Sequence, residues 1–174
     1  MIACNSLNKG DITMGKKIFT GRYTTENEED IVVFLIGMRV NKRWAIHKWG
    51  PVFSAMPGMI KELYENQEEL GFHSVESYFG LRTTFMVQYW RSAEDLLAYA
   101  KGEKHLSAWR NFNKRMENND AVGFYHETYN VKKGSYECIY RNMPLFGLAN
   151  ANKHIPVTSQ LNSARKRLRT TAGN

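Results

Sequence analysis

Two histidines stand where side-chain chemistry is possible. His105 and Trp109 are four residues apart in HLSAWRNF, so on a helix they share one face. His126 sits at the centre of AVGFYHETYNV (121–131), whose apolar and polar residues alternate as in a strand. An imidazole titrates near neutrality and is a natural proton acceptor for a phenol. Beside aromatic side chains, either histidine would be a general base above a flat apolar wall. Each also has a plainer reading. His105 would open its helix at a partly exposed position with Trp109 in the core, and His126 would be a hydrogen-bonded residue of a core or an interface.

Strand geometry separates His126 from its neighbour Glu127, because successive side chains point to opposite faces. The two cannot easily share one metal or one proton. His126 travels with Val122, Phe124 and Thr128, and Glu127 with Gly123, Tyr125 and Tyr129. The His126 set is read as the helix side, with Phe124 lining any pocket. Tyr89, at the end of another strand, is read as a further wall. Arg39 ends the first strand, where it would hold an anionic substrate group or pair with the acidic loop TTENEED (24–30).

The elements that must position these residues follow from period and punctuation. IVVFLIGMRV (31–40) is a nearly unbroken β-branched and apolar run, as in a central strand covered on both faces. Trp49, Val52, Phe53, Met56, Met59, Ile60, Leu63 and Tyr64 step by three and four, one apolar helix face. Pro51 suits a first turn, Pro57 predicts a kink or break, and Asn66 and Gly71 mark the end. HSVESYFGLR (73–82) reads as a short strand with a turn. TTFMVQYWR (83–91) is a better strand, with Phe85, Val87 and Tyr89 on one side and Thr84, Met86, Gln88 and Trp90 on the other. Ser92 before Glu94 and Asp95 is a helix start, and Gly102 divides that helix from a second piece near 104–118. Asn118-Asn119-Asp120 is a turn into the last strand. The order β-α-β-β-α-β is the ferredoxin-like α+β plan, with both helices on one sheet face and the other left bare for sheet-to-sheet pairing. YECIYRNMPLFGLA (136–149) would fold back on this body.

Composition narrows the function. The chain has 174 residues with a net charge of +7. Residues 151–174 hold five bases and no acid, so residues 1–150 carry only +2. The basic balance belongs to a C-terminal tail, read as solvated and frayed from about 158 rather than as a nucleic-acid contact. Three parts are expected: a disordered or extended leader (1–20), a domain (21–150) and a basic, flexible tail (151–174). Met14 is a candidate natural start. No apolar run reaches the length of a membrane span, and no signal-peptide pattern opens the chain. Two cysteines without metal spacing fit a reducing cytoplasm. The chain lacks GxGxxG before a helix, a P-loop, HExxH, CxxC and a serine-nucleophile elbow, which argues against nicotinamide, ATP or zinc chemistry.

Five segments in order carry a resemblance over roughly residues 20–150. They are FLIGMRVNKRWAIHKWGPVFSAMPGMIKEL, TTFMVQYWRSAEDLLAYA, HLSAWRNFN, VGFYHETY and YECIYRNMPLFGLA. The chain resembles a monooxygenase-like family of the dimeric α+β barrels, related to the antibiotic-biosynthesis monooxygenases. Some members are labelled phenylacetaldoxime dehydratase-like. The resemblance implies a homodimer through the sheet face and a small apolar pocket between helices and sheet. It further implies oxygenation of a small aromatic or polyketide-type substrate by O2 without flavin or metal. His105 or His126 would then be the base, with Trp109, Tyr89, Phe124 and Arg39 as substrate contacts. Haem-using branches of this fold place a histidine of the second helix on the iron, so haem held by His105 or His126 is the alternative, as in aldoxime dehydratases or haem-degrading proteins. A non-catalytic ligand-binding or interaction module is a third reading. No membrane partner is expected.

Overall fold

The apolar run 31–40 becomes an interior strand with a neighbour on each side, as its two-faced hydrophobicity requires. The structure, a computed structural model, describes residues 16–54 and 56–169. In chain order the elements are β1 (Phe19–Thr25), β2 (Ile31–Val40), α1 (Ile46–Phe53), α2 (Met56–Glu65), α3 (Gln67–Leu70), β3 (Phe72–Phe79) and β4 (Thr83–Trp90). They continue with α4 (Ala93–Lys101), α5 (Glu103–Met116), β5 (Val122–Val131), β6 (Tyr140–Met143), α6 (Leu148–Ala151), β7 (His154–Pro156), a 3-10 turn (Ser159–Leu161) and α7 (Ala164–Arg169).

Strands β3, β4, β2 and β5 form one antiparallel sheet in that order, the ferredoxin-like arrangement. The even-numbered residues of β2 face the helices. Val32 packs with Leu63, Phe72, Trp90 and Leu96 in one buried cluster, and Met38 with Val52 and Val122 in a second. The helices divide where the sequence says they should. Helix α1 ends at its C-cap Ser54, two residues before α2 begins at Met56-Pro57. Gly71 closes α3 at φ 66°, where its missing side chain avoids strain. Ser92 caps α4 by accepting from Asp95 N at 3.0 Å. Pro51 lies inside α1 rather than at its first turn, because the helix begins at Ile46.

The opposite sheet face is not bare throughout. Phe146 packs on Tyr78, which stacks on Phe85 at 4.7 Å. Glu76 accepts from Gly147 N and Asn150 Nδ2, each at 2.8 Å, and so fixes the returning C-terminal segment over β3 and β4. The half over β2 and β5 stays open, with Tyr125 and Tyr129 exposed.

A second antiparallel sheet, β6-β1-β7, corrects the sequence reading at both ends. Part of the expected leader and loop is β1, and Thr24, Thr25 and Asn27 of the supposed acidic loop are buried. Thr24 Oγ1 donates to Cys138 O at 2.7 Å, Thr25 Oγ1 to Asn27 Oδ1 at 2.6 Å, and Asn27 Nδ2 to Tyr136 O at 3.2 Å. The stretch expected to fray from about 158 instead forms the 3-10 turn and α7, and buries Arg167. Met14 and Cys4 lie outside the described residues.

Candidate active site

β5 pairs with β2 so that His126 stands opposite Ile36 and Phe124 opposite Met38, on the helix-covered face. The last strand therefore turns its Val122, Phe124 and His126 side to the helices. Helix α5 lies over the first part of β5. Its Trp109 and Phe112 stack at 5.2 Å and both meet the Phe124 ring, at 5.8 and 5.1 Å. Phe34, two residues before Ile36, brings a further ring to His126, with centroids 5.7 Å apart, and Phe124 lies 6.1 Å from the imidazole. Phe34 belongs to one buried cluster and Phe112 to the other, so His126 stands over the seam between them.

The imidazole of His126 is exposed because β5 is an edge strand and α5 reaches no further than Phe124. It makes no hydrogen bond among the described residues. In place of an enclosed apolar pocket, the rings meet at an exposed sheet edge, with Trp109 38% exposed. Two cavities, of about 180 and 220 Å³, lie elsewhere. The first is lined by Thr24, Thr25, Asn27 and Arg167, the second by Ile31, Arg91, Asn130 and Lys132.

His105 is half-buried at the start of α5 and does not share these ring contacts. Its ring leans on Tyr99 at 5.1 Å, and Nδ1 lies 3.0 Å from Ala100 O. A carbonyl only accepts, so Nδ1 carries the proton and Nε2 of the neutral ring holds the free lone pair. Trp109, one turn on, faces Phe124 instead.

Tyr89 and Arg39 are on the other side of the sheet. Tyr89 pairs with Val33 and Arg39 with Thr83 and Gly123, all members of the odd-numbered set. The Tyr89 phenol lies under the returning segment, where a Cβ on Gly147 would stand 3.3 Å from its oxygen. Burial pushes its pKa up to about 12, so it is a protonated phenol throughout the neutral range. Arg39 does not pair with the acidic loop, which sits at the far end of the ten-residue strand β2. That loop finds Lys132 and Lys153 through Asp30 and Glu26. The structure therefore brings together His126, Phe124 and Trp109, and sets His105, Tyr89 and Arg39 apart from them. Phe34 and Phe112 join the group. Phe34 could be found only by knowing the β2–β5 register, which neither strand prints in its own sequence.

Among the described residues no three His, Cys, Asp or Glu side chains cluster as metal ligands would, and no helix is long and apolar enough to cross a membrane.

Residues 31–148 match the family model described as Monooxygenase af470-like. The chain belongs to this family. Monooxygenase af470 of Aspergillus fumigatus is 24% identical over 119 residues, which are 64% of this chain and 42% of that protein. A crystal structure of aldoxime dehydratase shares the fold at TM-score 0.62 and 17% identity, covering 84% of this chain and 46% of the dehydratase. An aldoxime dehydratase crystallised with butyraldoxime gives TM-score 0.64 at 14% identity, covering 80% of this chain and 44% of that one. At such identities the likeness concerns the fold alone. The chain spans less than half the length of each of these relatives. The ferredoxin-like α+β architecture and the monooxygenase-like family thus agree with the sequence reading.

Proposed function

We propose that the chain catalyses oxygenation of a small aromatic or polyketide-type substrate by O2, without flavin or metal, at the ring-lined sheet edge around His126. One observation carries this reading: an exposed imidazole, free of hydrogen-bond partners among the described residues, stands between the rings of Phe34 and Phe124, with Trp109 behind Phe124. Those rings would hold a flat substrate by stacking, and His126 would take its acidic proton. The substrate anion would pass one electron to O2, giving a substrate radical and superoxide. Their recombination forms a peroxide, which loses water to leave a quinone. Arg39 and Tyr89, on the other face, have no part in this step. The odd-numbered sheet face, open over β2 and β5, would pair two copies as a homodimer, and the protein would work in the cytoplasm with Cys138 as a thiol.

The test is O2 uptake by purified protein with a panel of phenols and anthrones, with and without air, followed by 18O2 labelling of product. Turnover with one labelled oxygen in the product, lowered about 10²–10⁴-fold in His126→Gln, is the expected result. No O2 uptake across the panel would remove the proposal.

A second reading is favoured by His105 alone. Its Nδ1–H is bound to a carbonyl, which leaves the Nε2 lone pair as the group that would hold a haem iron. The residue fits that role, and a haem held there would supply the redox and Lewis-acid chemistry. A Soret band on adding haemin, lost in His105→Ala and kept in His126→Ala, would select this reading.

A further inference from the structure

One end of the sheet carries an apolar surface that the core does not use. Leu81, at the tip of the β3–β4 turn, is 93% exposed, and Phe79 beside it is 72% exposed. Trp44, in the loop after β2, is 79% exposed, and Ile46, opening α1, is 62% exposed. These positions belong to one region. Val40 N donates to Arg82 O at 2.7 Å, which ties the turn to the end of β2. The Phe53 ring of α1 meets the Phe79 ring at 6.3 Å. Ile46, Gly50 and Phe53 lie on one stripe of α1, which runs from the Trp44 loop towards β3. The helix still packs inward through Val52.

The charge of this end is one-sided. Residues 31–61 and 77–93 contain no Asp or Glu. Arg43, Lys48 and Arg82 are exposed and form no ion pair among the described residues. Lys42 is bound to Asp120, whose carboxyl it holds below the usual range, with Lys48 adding to the effect. Asp120 offsets one of these four basic charges and leaves Arg43, Lys48 and Arg82 without an acidic ion-pair partner among the described residues.

We propose that this end docks onto an anionic phospholipid surface, with Trp44, Phe79 and Leu81 entering the headgroup–acyl boundary and Arg43, Lys48 and Arg82 facing the phosphates. The pairing of the two features selects this occupant. Exposed aromatic and aliphatic tips with a basic rim match an interface that is apolar inside and negatively charged outside. Nucleic acid would satisfy the bases but leave Leu81 and Ile46 without an apolar phase. The sequence expectation of no membrane partner came from the lack of a spanning segment. Docking needs only exposed side chains, so this proposal replaces that expectation.

The experiment is co-sedimentation of the full chain with vesicles of phosphatidylcholine alone or mixed with phosphatidylserine. Binding is expected to the mixed vesicles only, to fall with added salt, and to weaken about fivefold for each of Arg43→Gln, Lys48→Gln and Arg82→Gln. Trp44→Ser with Leu81→Asn, both at exposed positions, is expected to abolish binding while the circular dichroism spectrum and unfolding midpoint stay unchanged. Brominated lipid should quench the tryptophan fluorescence of the parent chain and not that of the double variant. The proposal falls if the parent chain does not sediment with the mixed vesicles. It also falls if the double variant binds as the parent does. A lipid-free change in sedimentation coefficient in the double variant would instead mark the patch as a contact between copies, and would overturn the proposal too.

Discussion

Tyr125 lies across Gly37, its partner on the neighbouring strand, so that the ring fills the place where a side chain at residue 37 would be. A Cβ built on Gly37 would stand 2.7 Å from Tyr125 Cζ. Glycine in a strand interior costs about 0.5–1 kcal/mol relative to alanine. Here its use is to let an aromatic ring lie flat on the backbone, covering the strand from above.

That relationship predicts a change of sign. Gly37→Ala should destabilise the parent chain by about 1–2 kcal/mol, because the ring must lift or the strand shift. In a Tyr125→Ser background the same substitution should be neutral or stabilising by up to about 1 kcal/mol. A double-mutant cycle from denaturant midpoints measures it. Simple additivity would mean that the ring does not depend on the glycine.

Arg167 sits far from the ferredoxin-like sheet's core yet is only 6% exposed. Its Nε donates to Glu137 Oε2 at 2.6 Å and its Nη1 to Leu161 O at 3.0 Å. Removing one partner of a buried pair leaves the other charge unpaired, at about 3–5 kcal/mol when both are fully buried. Glu137 keeps partial access to water, so Arg167→Ala should cost about 2–3 kcal/mol. A lowered midpoint with unchanged m value in urea checks this. A loss under about 0.5 kcal/mol, as for an ordinary surface substitution, would mean that the C-terminal helix contributes little to the fold.

What the sequence could and could not tell divides along contact range. The apolar run of β2, the alternation of β4 and β5, the Ser92 cap and the Gly71 and Gly102 breaks are local signals, and the structure keeps each. The second sheet has no such signal. FTGRYTT has little alternation, and β6 and β7 are four and three residues long, so they exist only through pairing with β1 more than a hundred positions away. The candidate site shows the same division. His126, Phe124 and Trp109 could be named from type and spacing. Tyr89 and Arg39 could not be excluded until the register placed them on the odd-numbered face. His154 is a similar case. Its cage of Phe19, Tyr23 and Tyr140 comes from two strands, β1 and β6, that meet His154 only in the folded sheet.

Two histidines should make stability depend on pH. Burial lowers the pKa of His73, with Arg91 adding to the effect and Glu29 and Asp95 opposing it. Burial alone lowers that of His154, whose Nε2 has no hydrogen-bond partner among the described residues. Both fold in the neutral form. Below the ordinary imidazole value of 6.5 the unfolded chain takes up protons that the folded one refuses. Stability is therefore full above that pH and declines as pH falls below it, by at most about 1.4 kcal/mol per pH unit for each histidine. The loss levels off once pH passes under the folded-state values. Asp30, Asp95 and Asp120 are held below 3.8, so their contribution is lost only in stronger acid. Urea midpoints of the parent, His73→Gln and His154→Gln across this range should show a slope that each variant flattens. Parallel curves for all three would refute the assignment.

The two faces of the sheet make opposite predictions for activity and stability. His126 is exposed at the strand edge, so His126→Gln should change the unfolding free energy by no more than about 0.5 kcal/mol. It should nevertheless remove the proposed proton acceptor and lower kcat for O2-dependent turnover about 10²–10⁴-fold. Trp109→Ala, on the same face, should raise KM more than it lowers kcat, because stacking binds substrate and transition state alike. Tyr89→Phe acts on the other face, where the phenol lies beneath Gly147, and should leave kcat/KM within about twofold of the parent. Steady-state kinetics of the three variants, each with its urea midpoint, separate the possibilities. Loss of turnover in Tyr89→Phe with His126→Gln unaffected would move the reaction to the opposite face of the sheet.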